Sequence, residues 1–211
     1  MIKPIRLATA LTLLCLASSM ATAQTPAPDP DQVVKELFWG QLMAEGGETF
    51  FCQQPFSNKG FTVTEGYIYP LSHVRNALRC GTPSQCEKLE AYRRIAGDLH
   101  NMVPVQSRIE VWRRNAKYDE LGDNAALKDC GMRESTQFIE PPDRIKGDIA
   151  RAVAYMVQTY DLPWPGMTSI FVEWSRLDPP DPKEVARNQA ITELQGQGNP
   201  FVENPEALQA L

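Results

Sequence analysis

Glu140-Pro141-Pro142-Asp143-Arg144-Ile145-Lys146-Gly147-Asp148-Ile149-Ala150-Arg151-Ala152-Val153-Ala154-Tyr155-Met156 is the stretch from which the fold of this chain is read. Ile145, Ile149, Val153 and Met156, with Tyr160 just beyond, recur at the period of one helical face, so a helix is predicted from about Asp143 to Tyr160. Pro163 stands past its end, where a proline cannot extend a helix. A stripe this apolar is a core face whatever the protein does, and the rest of the chain has to pack round it.

Downstream, a helix is predicted over Met167 to about Arg176. Another begins at Asp181, with Pro182 at its first position and Gly196 just past its end. Upstream, Asp29 or Asp31 caps a helix that carries Val33, Val34, Leu37, Phe38, Leu42 and Met43 on one face and stops at Gly46-Gly47. Phe50–Cys52 and Phe61–Tyr69 have the aromatic and β-branched content of strands, separated by the turn residues Ser57-Asn58-Lys59-Gly60. Leu71–Leu78 and Glu87–Ile95 read as helices. The fold class is α+β, a helix-rich single domain with few strands and no internal repeat.

Residues 1–23 have a basic start (Lys3, Arg6), an apolar run over Leu7–Leu16 and the small-residue ending Ala21-Thr22-Ala23, the pattern of a secretory signal peptide. The alternative, an uncleaved anchor helix, fits the A-x-A ending less well. Residues 24–31 are a proline-rich spacer, 32–205 the folded domain and 206–211 a short tail. The compartment expected is the periplasm or the outside of the cell. Cleavage removes Cys15 and leaves Cys52, Cys80, Cys86 and Cys130, an even set suited to two disulfides in an oxidising compartment. Three pairings are open. The short loop between Cys80 and Cys86 favours a local bridge and would leave Cys52 for Cys130, while a zinc site would want C-x-x-C pairs that are absent.

The chain of 211 residues has 21 Lys and Arg against 26 Asp and Glu, a net charge of −5. Loss of Lys3 and Arg6 makes it more acidic, which opposes nonspecific nucleic-acid binding, a matter of phosphate neutralisation. Cations do gather in one central stretch, from Arg75 and Arg79 through Arg93, Arg94, Arg108, Arg113 and Arg114 to Lys117.

The opening stretch, followed by Asp178-Pro179-Pro180, Arg187-Asn188 with Ile191, and Gln195-Gly196-Gln197-Gly198-Asn199-Pro200-Phe201-Val202, resembles the bacterial endonuclease I family in order and spacing. Thr49-Phe50-Phe51-Cys52, Tyr69-Pro70-Leu71-Ser72, Cys80-Gly81-Thr82 and Asp98-Leu99-His100-Asn101 extend the likeness over nearly all of the chain after residue 33. The resemblance implies a ββα-metal (His-Me finger) fold with a small β-hairpin core, and Mg2+-dependent hydrolysis of DNA or RNA. It also implies a substrate groove at the central cations.

The resemblance then breaks at the site. The family's adjacent Glu-His pair, metal ligand and general base, falls on Gly66-Tyr67, in a register fixed by Pro70, Ser72 and Cys80-Gly81. A phenol with an ordinary pKa near ~10 is a poor base at neutral pH, whereas imidazole near ~6.5 is well placed. The second metal ligand, an asparagine, falls on Glu110, which can hold a hard cation through oxygen. Arg113 and Asn115 follow in register as nucleic-acid contacts. The family's glutamate before D-x-H-N is Ala96 and an expected arginine is Pro83.

Among replacements, Glu65 could approach the missing carboxylate through a bulge, although a solvated strand-end acid is the plainer role. His73 is the candidate for a relocated base, against a surface or capping histidine, and His100 belongs to a segment the family keeps for structure. Trp112 could stack on a base or serve as core. Two functions follow. One is a divergent Mg2+ nuclease in which Glu110 and Glu65 hold the metal and Tyr67 or His73 assists the water. The other is a pseudonuclease, catalytically inactive, that binds a protein, a nucleic acid or an envelope component. A monomer is expected in either case.

Overall fold

The computed structural model describes residues 26–113 and 115–211. The expected signal peptide, the first two spacer residues and Arg114 lie outside the described residues.

Helix α1 starts as a single α-turn over Pro30–Gln32, capped by the Asp29 carboxylate, and continues as a wider π-wound segment over Val33–Leu42. The change of winding alters the buried face. Val33 and Phe38, five apart, are the fully buried pair, and the stripe expected from a 3.6-residue period is only partly covered. Strands β1 (Gly47–Glu48) and β2 (Pro55–Phe56) pair antiparallel. Between them Phe50–Cys52 forms turns, not the expected strand, because Thr49 closes the segment on itself by accepting from Gln53 N through its carbonyl and from Gln54 N through its hydroxyl.

The hairpin at the centre consists of β3 (Val63–Tyr67) and β4 (Met102–Gln106), antiparallel with Gly66 opposite Val103 and Tyr67 opposite Met102. Between these strands come α2 (Leu71–Leu78), α3 (Pro83–Cys86) and α4 (Glu90–Ala96); the expected helix over Glu87–Ile95 starts only at Glu90, and the separate turn α3 before it is held by a Thr82/Gln85 capping box. Helix α5 (Ser107–Arg113) follows β4 directly and packs on both hairpin strands. A four-stranded sheet is then built from β5 (Lys117–Tyr118), β6 (Ala126–Leu127), β7 (Arg133–Glu134) and β8 (Phe138–Glu140), in the order β5-β8-β7-β6.

Helix α6 (Lys146–Tyr160) is the expected core helix, led in by a 3-10 turn over Asp143–Ile145, and Ile149, Val153 and Met156 are fully buried. It packs against α7 (Thr168–Leu177) and the short α9 (Pro200–Glu203). Helix α8 (Pro182–Gln195) starts and ends as expected, with Asp181 capping Glu184 N and Gly196 left-handed at φ 79°. Both disulfides are those expected, Cys52–Cys130 and Cys80–Cys86. The fold is α+β and helix-rich. No helix among the described residues is long and apolar enough to cross a membrane.

Candidate functional site

The hairpin sorts the expected site residues onto two faces, because side chains alternate along a strand. Glu65 and Tyr67 point one way, with Pro104 and Met102 opposite them, and Gly66 points the other, with Val103. Glu110 comes in from α5 on the Gly66 side. A Cβ built on Gly66 would lie 2.7 Å from Glu110 Oε2 and 2.7 Å from Val105 Cγ2. Glycine is therefore required here by close approach, a common reason for glycine inside a strand. The Glu110 carboxylate fills the space that a side chain at position 66 would need.

That carboxylate is held. Arg113, one turn along α5, places a guanidinium nitrogen 2.8 Å from Glu110 Oε2, and the same nitrogen donates to the Tyr67 carbonyl at 2.6 Å. Arg113 is 1% exposed and its guanidinium stacks 4.7 Å from the Phe51 ring centre. The expectation that Arg113 contacts nucleic acid meets a buried side chain already bonded to two protein groups. Its neighbour Asn115 is exposed.

Glu65, expected beside Glu110 at a metal, is on the opposite face and has its own partners. It accepts from Trp39 Nε1 at 2.9 Å and pairs with Lys59 Nζ at 2.8 Å. Burial works to raise its pKa, but the hydrogen bonds from Lys59 and Trp39 prevail and hold it below the usual carboxylate value. Tyr67 packs among the α1 side chains, and burial first, then the Glu65 charge, pushes its phenol far above the ordinary tyrosine value. It stays protonated throughout the neutral range.

His73 and Asn115 do meet: His73 Nε2 is 3.2 Å from the Asn115 carbonyl, and burial pushes the imidazole below its usual pKa. His100 is buried, with Nε2 3.0 Å from the Gln197 carbonyl and its ring 4.6 Å from that of Tyr155. Asp98 ties the same region together by accepting from Tyr155 at 2.8 Å and Tyr160 at 2.6 Å. Three of the described central cations have protein partners. Arg94 pairs with Glu90, Arg108 with Asp129, and Arg113 is internal. Trp112 is partly buried against the core, with Lys128 Nζ 6.0 Å from its ring centre.

These residues do not fit a hydrated Mg2+, which wants several oxygen ligands in near-octahedral array. Gly66 offers none, Glu65 lies across the sheet, and Glu110 faces a guanidinium. Among the described residues no group of three or more His, Cys, Asp and Glu side chains is placed to hold a metal ion.

A second place was not foreseen from the sequence. A cleft of about 590 Å³ lies among the Gly46–Pro55 loop, the hairpin, α6 and α8, and Asp148, Glu184, Arg187 and His100 are on its lining. Arg151, fully buried, donates to Glu184 at 2.8 and 2.5 Å and to Asp148 at 3.2 Å. Burial, then the neighbouring Glu184 charge, raises Asp148 to about 7. In the sequence, Asp148, Arg151 and Arg187 stand only as members of the segments that carry the resemblance.

A family model described as Endonuclease I matches residues 41–206. Among curated relatives, an extracellular deoxyribonuclease of Aeromonas hydrophila is 31% identical over 148 residues, covering 65% of this chain and 64% of the relative. A periplasmic deoxyribonuclease of the same species is 29% identical over 175 residues, 79% of this chain and 74% of the relative. An extracellular ribonuclease of Bacillus subtilis (strain 168) is 31% identical over 128 residues, 52% of this chain and 44% of the relative. The chain thus spans less than two thirds of the first of these relatives.

Proposed function

The chain belongs to the endonuclease I family, and on that premise we propose that it is a nuclease-fold binding protein that does not hydrolyse phosphodiesters by the family's route. The family and the relatives named for deoxyribonuclease and ribonuclease activity support nucleic acid as the general class of target. The relatives named as extracellular and periplasmic, and the two disulfides, support a periplasmic or secreted protein.

The observation that carries the proposal is the filling of the position-66 space by Glu110, itself paired to buried Arg113. Hydrolysis needs an activated water and stabilisation of charge on the phosphate. At the family's base position this chain has a phenol whose proton burial retains. At its ligand position there is no side chain, and the family's arginine neutralises an internal carboxylate in place of a phosphate. These replacements at the base and ligand positions support binding in place of turnover by the family's route.

A second reading rests on His73 near Asn115. An imidazole kept neutral by burial can accept a proton, so hydrolysis from a relocated base is the alternative. One experiment separates the two. The oxidised protein is mixed with end-labelled DNA and RNA, with Mg2+ or EDTA, and anisotropy and fragment length are read on the same samples. Binding with unchanged fragment length supports the proposal, and fragmentation lost in His73→Ala supports the relocated base.

A further inference from the structure

Another cleft opens at the Val63–Gln106 end of the hairpin and contains none of Glu65, Gly66, Tyr67, His73, Glu110 or Arg113. Its volume of about 800 Å³ falls inside the range of roughly 300–1,000 Å³ common for small-molecule sites. The loop after β2 forms one wall and brings Phe61 to the rim with its ring fully exposed. The backbone under that ring is fixed from α5, where Ser107 Oγ donates to the Phe61 carbonyl at 2.9 Å and Ser107 N to the Thr62 carbonyl at 3.0 Å. An aromatic face is thus offered to solvent from a held backbone.

The polar walls are amides and hydroxyls. Gln106 donates to Gln54 Oε1 and accepts from Arg108 Nε at 3.1 Å, which leaves the Gln54 amino group without a protein acceptor among the described residues. Asn58 donates to Ser57 Oγ at 3.3 Å and keeps its side-chain oxygen as an acceptor. Arg108 is the one charged side chain among the described residues of the lining. Its partner Asp129 stands 3.3 Å away in an ion pair with both members exposed, a kind worth little in water, so the guanidinium can exchange that carboxylate for another anion.

We propose, on the reading that nucleic acid is the target, that this cleft takes an unpaired base of a single strand, with the base stacked on Phe61, its edge at Gln54 and Asn58, and the adjoining phosphate at Arg108. Every base has a π face for an aromatic ring, and its edge sets donors beside acceptors as a side-chain amide does. In a duplex the faces are stacked and the pairing edges are taken, so only phosphate reaches the cleft. A neutral polyol is the competing occupant, since it would use the same amides and hydroxyls and leave Arg108 to Asp129.

The test is fluorescence anisotropy on the natural, oxidised chain in EDTA, so that binding alone is read. The probes are a labelled DNA strand of about twelve nucleotides and its blunt duplex, with maltotetraose as competitor. The strand should bind about tenfold tighter than the duplex, the worth of one base stacked on an aromatic ring. Phe61→Ala should remove that advantage while leaving duplex affinity and melting temperature unchanged, because the ring is fully exposed in the fold, and Phe61→Trp should keep it. Arg108→Gln should lower the slope of log affinity against log salt by about 0.7, the share of one phosphate on a single strand. Equal affinity for strand and duplex, an unchanged strand affinity in Phe61→Ala, or displacement of the strand by maltotetraose would each overturn the proposal and leave a nucleic-acid target in place. No binding of either nucleic acid up to about 100 μM would overturn the target together with the proposal.

Discussion

Replacing Gly66 by alanine should destabilise this protein, although the same change inside an ordinary strand is helpful by roughly 0.5–1 kcal/mol. The new Cβ would stand 2.7 Å from Glu110 Oε2, 2.7 Å from Val105 Cγ2 and 2.9 Å from Val105 Cγ1, so carboxylate and valine must both move. Overpacking of this kind costs roughly 1–3 kcal/mol. For a chain of this size each 1 kcal/mol is worth roughly 2–4 °C, so Gly66→Ala should unfold roughly 2–12 °C lower. A double-mutant cycle assigns the cause. In a Glu110→Ala background the cost of Gly66→Ala should fall, leaving only the Val105 part, and the coupling should reach at least about 0.5 kcal/mol. Thermal and urea unfolding of the four proteins under oxidising conditions supply the numbers. A neutral or stabilising Gly66→Ala, or two costs that simply add, would show that Glu110 does not fill the space above position 66.

Three other perturbations have defined outcomes. Arg113→Met should cost roughly 3–5 kcal/mol in urea unfolding, because it removes the buried guanidinium that pairs with the Glu110 carboxylate and donates to the Tyr67 carbonyl, and a loss below about 1 kcal/mol would contradict that role. Removing Cys52–Cys130, with a separation of 78 residues, should cost roughly 4.5 kcal/mol against roughly 2 kcal/mol for Cys80–Cys86, with a separation of 6, as loop-closure entropy scales, and the reverse order in paired alanine variants would refute it. Asp148 has a folded pKa of about 7 against 3.8 for the free side chain, so the fold binds its proton more tightly; the cost of its charge is absent below the lower value, grows through that window and is complete above the upper. Asp148→Asn should therefore stabilise the protein more at pH about 8 than at pH about 4, and equal effects at both would contradict the assignment.

The parts legible in the sequence were those governed by local signals. The α6 stripe, the Asp181-Pro182 start and Gly196 end of α8, and the pairing of four cysteines follow from periodicity, capping chemistry and loop length, and the structure has all of them. The α1 winding and the Phe50–Cys52 turns were misread because π-type winding and the two Thr49 hydrogen bonds override composition. At the candidate site strand alternation puts Glu65 and Tyr67 on the face away from Gly66, and only tertiary packing aims Glu110 at Gly66. The cleft beside α6 and α8 was hidden for the same reason: Asp148 and Glu184 are 36 positions apart and meet through Arg151.

On the proposed reading, this member of a nuclease family has no hydrolytic centre at the family's position. The direct measurement is relaxation of supercoiled plasmid by the natural, oxidised protein, with Mg2+ and in matched EDTA, alongside a Gly66→Glu, Tyr67→His, Glu110→Asn variant that restores the family's residues and removes the carboxylate occupying the space. The natural protein should show no difference between Mg2+ and EDTA and the variant should nick in a Mg2+-dependent way, since a restored general base is worth roughly 10²–10⁴-fold. Robust Mg2+-dependent nicking by the natural protein would contradict that reading.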